Sequence, residues 1–243
     1  MSLTVEAATR THVGLVRRRN EDSSYAGQWL LAVADGMGGH VSGDIASATA
    51  IEAMRPYDRR FEPADLSTAL GRAVNAANRA LNREIVAASE LTGMGTTLVA
   101  LLWAETTAVI ANVGDSRIYL VRDHGLHKES NPQLIQITED HTYGNLVADA
   151  ASVPNLPERI SRFLDGRVDG RSPDLTIRAL RAGDRFLLCS DGLSSVVPHE
   201  LIYDAMASPG DPGETADRLI DLAVDRGGPD NITVIIVDVA DRG

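Results

Sequence analysis

Residues 96–113 read TTLVALLWAETTAVIANV. Thr96–Ala104 and Thr107–Val113 are β-branched and apolar, with few breakers between them beyond Glu105. Runs of this length and composition predict two strands joined by a short turn. Their mostly apolar character predicts that both faces are covered. Toward the C-terminus, Ile118–Arg122 and Leu134–Thr138 continue the pattern across a polar stretch with Gly125, giving an antiparallel meander. Leu175–Leu180, Arg185–Cys189 and Ile232–Val239 predict further strands. Toward the N-terminus, Trp29–Ala34 (WLLAVA) is a compact apolar run stopped by Asp35-Gly36, a buried strand and a turn.

Helical signals flank this middle. Ser42–Pro56 repeats Ile45, Ala46, Thr49, Ile51 and Met54 on roughly one face and ends at Pro56. Asp65–Ala88 is a long Ala-rich helix with Leu66, Leu70, Val74, Ala77, Leu81 and Ile85 at helical spacing. Its polar side is largely Arg72, Arg79, Arg83 and Glu84. His199–Ala207 and Asp211–Gly227 predict helices, the second with Pro212 near its start and Gly227-Gly228 at its end. Tyr143–Ala151 and Pro157–Leu164 predict short helices around a loop. This order does not repeat βαβ units. It predicts an α+β fold, two sheets with helices outside, in one domain over 1–243.

The chain has 243 residues, 44% hydrophobic and 23% charged, an ordinary balance for a folded chain that excludes disorder and collagen-like repetition. Net charge is −11, which argues against a nucleic-acid or anionic-membrane binder. There is one cysteine, so an internal disulfide is excluded. MSLTVEAATRT at the start has no long apolar run, and stretches such as Leu98–Ala104 are too short to cross a bilayer. A cytoplasmic location without a signal peptide is the expectation.

Acidic residues recur beside predicted strand ends: Asn20-Glu21-Asp22, Asp35-Gly36, Gly114-Asp115-Ser116-Arg117, Asp140-His141, Ser190-Asp191-Gly192 and Asp230-Asn231. Asp-Gly is a common turn pair, and any one of these reads as a turn. Several half-buried carboxylates at converging strand ends would repel one another, and a cation is the remedy. Oxygen ligands of this kind suit Mg²⁺ or Mn²⁺. Cys and His are nearly absent there, so zinc held by sulfur or nitrogen is not expected.

Taken together in order, these motifs resemble the metal-dependent Ser/Thr protein phosphatases of the PP2C-like (PPM) family, in particular bacterial catalytic domains. The resemblance rests on Arg17-Arg18-Arg19-Asn20-Glu21-Asp22, Asp35-Gly36-Met37-Gly38-Gly39-His40 and Gly93-Met94-Gly95-Thr96-Thr97. It continues through Gly114-Asp115-Ser116-Arg117, Cys189-Ser190-Asp191-Gly192-Leu193 and Gly228-Pro229-Asp230-Asn231-Ile232-Thr233-Val234, and covers Thr9 to Val239. It implies a four-layer α-β-β-α sandwich with two central, mostly antiparallel sheets. It implies two Mn²⁺ or Mg²⁺ ions in the core site and leaves a third open. Asp35 resembles the carboxylate shared by both ions, and the Gly36 carbonyl a ligand of one. Asp191 and Asp230 resemble ligands of the other, and Glu21 and Asp22 the acidic pair that holds bound waters. Asp115 resembles a ligand of the third ion, with Ser161 a candidate partner. Arg17 matches the phosphate-gripping guanidinium; Asn231 would fix the Asp230 loop through its amide.

The implied reaction is hydrolysis of phosphoserine and phosphothreonine in proteins by water activated at a two-metal centre. No side-chain nucleophile is then required, and Cys189 reads as core. His40 is a candidate substrate contact. Animal members carry a His directly after the Asp-Gly; Met37 stands there, so the general acid has no assignment. His12, His124, His127, His141 and His199 read as surface or cap residues. A shortened flap is expected at about 142–169. Implied partners are phosphorylated proteins, with a separate Ser/Thr kinase as the opposing enzyme, and a monomer is the family-like state. The competing reading is a catalytically impaired pseudophosphatase that binds phosphoproteins. The full set of Asp35, Asp191, Asp230 and Arg17 argues against it.

Overall fold

A computed structural model describes residues 3–38, 42–122, 133–167 and 172–242. The strands in chain order are β1 (Leu3–His12), β2 (Asp22–Ala26), β3 (Leu30–Met37), β4 (Gly95–Thr96), β5 (Leu98–Ala104) and β6 (Thr107–Val113). They continue as β7 (Arg117–Arg122), β8 (Gln133–Gln136), β9 (Asp174–Ala179), β10 (Arg185–Cys189) and β11 (Ile232–Asp241). The α-helices are α1 (Gly43–Met54), α2 (Leu66–Ala87), α3 (Tyr143–Leu146), α4 (Asp191–Ser194), α5 (His199–Ala207) and α6 (Pro212–Val224).

The period of two within single strands sets the layers. In β3, Leu30, Ala32 and Ala34 face one way and pack against α1 and α2, on Ala46, Ala50, Leu70 and Val74. Leu31 and Val33 face the other way, onto Phe186, Leu188, Ile235 and Val237 of the opposite sheet. Strands β10 and β11 repeat the device in mirror order. Leu187, Cys189, Val234 and Ile236 point outward onto Ile202, Met206, Leu219 and Ala223 of α5 and α6. Two-sided burial is why these strands read as continuous apolar runs. Each large side chain fully buried here contributes about 1.5–3 kcal/mol. The expected α+β architecture, helices outside two central antiparallel sheets, is the observed one.

One sheet orders β1-β11-β10-β7-β8 and the other β2-β3-β5-β6-β9, with β4 added against β3. The 96–113 hairpin is β5 and β6, in register from Leu98↔Val113 to Ala104↔Thr107. Glu105 takes the left-handed conformation at φ 54° in its turn.

Two edge strands were not legible in advance. β1 runs antiparallel to β11 from Leu3↔Asp241 to His12↔Ile232. Its sequence, LTVEAATRTH, is half polar because it is an edge strand with much of its surface exposed. β2, DSSYA, is held by pairing with β3. Pro157–Leu164 is not helical. It is irregular backbone pinned by bridges Thr142↔Ile160 and Thr96↔Leu164. The predicted helix over Tyr143–Ala151 shortens to α3 and a single 3₁₀ turn at Ala150–Ser152. α6 begins with a reciprocal cap in which the Asp211 side chain accepts from the Glu214 N–H, with Pro212 in the first turn. Among the described residues, no helix is long and apolar enough to cross a membrane.

Candidate metal centre and active site

The centre forms where strand ends of both sheets meet. Asp22 of β2 and Asp35 of β3 are direct cross-strand partners in the first sheet. Like charges opposite one another are destabilising, so nothing in the sheet alone favours this pair. The second sheet supplies Asp191, the first residue of α4 after β10, and Asp230, two residues before β11. The two sheets are tied at this point by Ser190. Its hydroxyl donates to Asp22 Oδ2 at 2.8 Å and accepts from the Thr233 N–H at 3.0 Å.

The Asp35 backbone is fixed from both sides. Its N–H donates to Thr97 Oγ1 at 3.1 Å, and its carbonyl accepts from the Thr97 N–H at 2.9 Å and the Thr96 hydroxyl at 2.9 Å. Thr97 Oγ1 and Ser116 Oγ lie 2.7 Å apart, which carries the same network to the turn before β7 that holds Asp115. Gly36 and Gly43 are glycines because their backbones touch. A Cβ on Gly43 would sit 2.9 Å from the Gly36 carbonyl oxygen and collide with the Glu21 carboxylate. A Cβ on Gly36 would meet the Glu21 carbonyl oxygen at 2.6 Å. The Gly36 carbonyl thus faces the start of α1 beside Glu21.

Charge is strongly frustrated here. Burial raises Asp35 well above the usual carboxylate range, and Asp22, Asp191 and Asp115 push it further. Burial lifts Asp22 to about 7, reinforced by Asp191 and Asp230 against hydrogen bonds from Ser190 and Thr233. Burial likewise lifts Asp115 to about 7, with Asp191 adding to the effect. Burial raises Asp191 and Asp230 pushes it further, partly offset by the neighbouring Asp35, Arg17 and Arg117. Glu21 is raised by burial and then by Asp44.

Arg17 stands at the rim. Its Nη2 donates to Asp230 Oδ2 at 2.7 Å, with the Arg17 side chain 56% exposed. This hydrogen bond holds the guanidinium above its ordinary pKa. Arg17 thus engages one of the expected ligand carboxylates, a contact the sequence did not indicate. The Asn231 amide was expected to fix the Asp230 loop and instead ties it to the segment around Arg17: its Oδ1 accepts from the Glu21 N–H at 2.7 Å, and its Nδ2 donates to the Val13 and Arg19 carbonyls at 2.9 and 2.8 Å.

Among the described residues, three buried carboxylate oxygens have no hydrogen-bond partner: Asp22 Oδ1, Asp115 Oδ1 and Asp191 Oδ1. Orphaned anionic oxygens among mutually repelling carboxylates are the donor set of a hard divalent cation. Among the described residues, no three Asp, Glu, His or Cys side chains close on one point as a complete ligand set. An ion here would be completed by backbone carbonyl and water, as Mg²⁺ and Mn²⁺ commonly are. The residues fit the group on these terms.

Other predicted positions fall as follows. His40 lies outside the described residues, as do His124 and His127. Cys189 is fully buried, and its thiol is pushed up to about 12 by burial, so it is core and not a nucleophile. Asp140 is taken by Arg117 at 2.6 Å. His141 is not a surface residue. It is buried, its Nδ1 accepts from the Gly114 N–H at 3.0 Å, and its Nε2 lies 2.9 Å from Asp174 Oδ2. Asp174 also accepts from Arg162 at 2.7 Å, so His141 joins the Asp115 turn to the segment after it. Ser161 is held through its N–H on the His141 carbonyl at 2.7 Å. The roles of Ser190 and His141 were missed; each sits inside a motif noticed for its neighbouring Asp.

Sheets, helices and carboxylates place the chain in a class that comparison confirms. The profile of the family described as Protein phosphatase 2C matches residues 17–219, and the chain belongs to that family. It is 44% identical to the serine/threonine protein phosphatase PstP of Mycobacterium tuberculosis, over 99% of this chain and 46% of that protein. The chain thus spans about half the length of that relative. A serine/threonine phosphatase of Listeria monocytogenes is 35% identical, with 96% of each chain covered. Among solved structures, the catalytic domain of PstP in complex with two manganese ions superimposes with a TM-score of 0.87 at 44% identity, covering 99% of this chain and all of that one.

Proposed function

We propose that this chain is a metal-dependent protein serine/threonine phosphatase, a single catalytic domain over 1–243 with a flap at about 142–169. The observation that carries it is the set of orphaned carboxylate oxygens at the join of the two sheets, with Arg17 on the rim. Asp35, the Gly36 carbonyl, Asp191 and Asp230 would hold two Mn²⁺ or Mg²⁺ ions, with Glu21 and Asp22 holding bound water. Asp115 would serve a third ion. When bound, the ions supply Lewis acidity that activates water and offsets charge on the phosphoryl group. The manganese-bound PstP domain supports this ligand chemistry.

The chain's own groups do the rest. Arg17 uses one of its five N–H donors on Asp230, and the others are available for phosphoryl oxygens. Asn231 holds the backbone on both sides of Arg17, which limits the freedom of that grip. Burial keeps Cys189 out of the chemistry. Substrates are phosphoproteins, a separate Ser/Thr kinase is the opposing activity, and the protein acts as a cytoplasmic monomer.

Hydrolysis of a phosphothreonine peptide tests this. Activity is expected with Mn²⁺ or Mg²⁺ and is lost with EDTA, and Asp35→Asn reduces turnover at saturating Mn²⁺ by at least about a hundredfold. A folded protein inert under every metal would establish the pseudophosphatase reading instead. Full activity of the Asp35→Asn protein would refute the two-ion centre.

A further inference from the structure

The chain is acidic overall, yet one face of α2 is lined with arginine. Arg72, Arg79 and Arg83 are spaced i, i+7 and i+11, which aligns them in a single column along the helix. All three are exposed, and none makes a hydrogen bond or ion pair among the described residues. At 1.5 Å per residue the column is about 16 Å long, the span of roughly five residues of extended peptide.

Two cavities that share Tyr57 and Arg72 adjoin this column. One, of about 690 Å³, adds Arg59, Arg60 and Phe61. The other, of about 640 Å³, is formed by Arg72, Arg79 and Arg83 with Pro56 and Tyr57. Neighbouring cations are already engaged: Arg55 pairs with Glu52 at 2.8 Å, Arg60 lies 3.5 Å from Glu105, and Arg59 stacks 4.2 Å over Phe61. Glu62 and Asp65 also line the first cavity, so the second, which has no carboxylate in its lining, is the more cationic of the two. What the groove leaves unanswered is the column itself. The groove lies at the C-terminal end of α1, whereas Gly43 at the other end of α1 touches Gly36. The length of α1 therefore separates it from the carboxylate centre by about 16 Å.

We propose that this groove is a docking site for an acidic segment of a partner protein, remote from the phosphatase centre. Charge complementarity selects the ligand. One line of guanidiniums matches an extended chain carrying Glu or Asp, and bidentate carboxylate pairing suits Arg in particular. A nucleic-acid duplex or an anionic bilayer would press its broader negative surface against a protein of net charge −11. The proposal does not depend on the catalytic reading.

The test is fluorescence anisotropy of a labelled decaglutamate peptide on the whole chain, with decaglutamine, a single-stranded DNA oligonucleotide and phosphatidylserine vesicles as comparisons. Decaglutamate is expected to bind, decaglutamine not, and added salt to weaken the binding. Replacing Arg72, Arg79 and Arg83 by Gln should weaken it about eightfold, since each exposed pair is worth roughly twofold. Replacing them by Lys keeps the charge but loses the bidentate pairing, and should recover only part of the binding. Turnover of p-nitrophenyl phosphate should be unchanged in both variants. Peptide binding that the Gln variant leaves intact would overturn the proposal. So would tighter binding of the oligonucleotide or the vesicles than of the peptide.

Discussion

Asp115→Asn should stabilise the protein when divalent ions are removed. Asp115 is largely buried, one of its oxygens has no partner, and its pKa is pushed up to about 7 by burial and Asp191. The ordinary value of such a carboxyl is 3.8. At 1.36 kcal/mol per unit, ionising this group in the folded state costs on the order of 4 kcal/mol relative to the unfolded chain. The sign follows from which state binds the proton more tightly. Below pH 4 both states hold it, and Asp115 imposes no cost. Between about pH 4 and 7 the unfolded chain loses its proton first, so stability falls as pH rises. Above 7 the full cost is present. The Asn side chain carries no charge and escapes this cost. In EDTA at pH 8 the variant should gain about 1–4 kcal/mol, with roughly 2–4 °C in Tm per kcal/mol for a chain of this length. Urea denaturation at pH 8 and at pH 4.5 is the assay. The gain should shrink toward zero at the lower pH. A variant less stable than the parent at pH 8, or a gain equal at both pH values, would refute the frustrated-cluster account.

Two further outcomes follow from the same site. Apparent Mn²⁺ affinity by calorimetry should be flat above about pH 8 and fall below 7, by one to two log units per pH unit, because ions displace protons from Asp22 and Asp115; a flat profile down to pH 5.5 would contradict it. Asn231→Ala removes three side-chain hydrogen bonds from a nearly buried residue and should cost about 2–4 kcal/mol in urea denaturation while raising KM for phosphopeptide through the loosened Arg17 loop; a cost under about 0.5 kcal/mol would show that the loop is held otherwise.

What was legible depended on how a residue earns its place. Leu31 and Val33 are buried on one sheet face and Leu30 and Ala32 on the other, so the strand announces itself as an unbroken apolar run. Asp35 and Asp191 stand at the ends of such runs, and their motifs could be read in order. β1 could not be read, because Thr9, Arg10 and Thr11 take their strand geometry from residues more than 220 positions away in β11. Pro157–Leu164 carried apolar spacing but is shaped by backbone pairing with Thr142 and Thr96. The Arg17–Asp230 contact and the Ser190–Asp22 link join parts of the chain 213 and 168 residues apart, and local pattern holds no trace of either. His141 read as a surface or cap residue because its partners, Gly114 and Asp174, lie 27 and 33 positions away.

The Ser190 link means that the centre belongs to neither half of the molecule. Asp22 and Asp35 arrive with one sheet, Asp191 and Asp230 with the other, and only their docking places the four together. A chain whose sheets have formed but not yet docked holds two separate acidic pairs exposed to water, with a weak hold on any cation. Divalent ions therefore recognise completion of the fold. Bound ions add stability to the docked state alone and should slow the parting of the sheets.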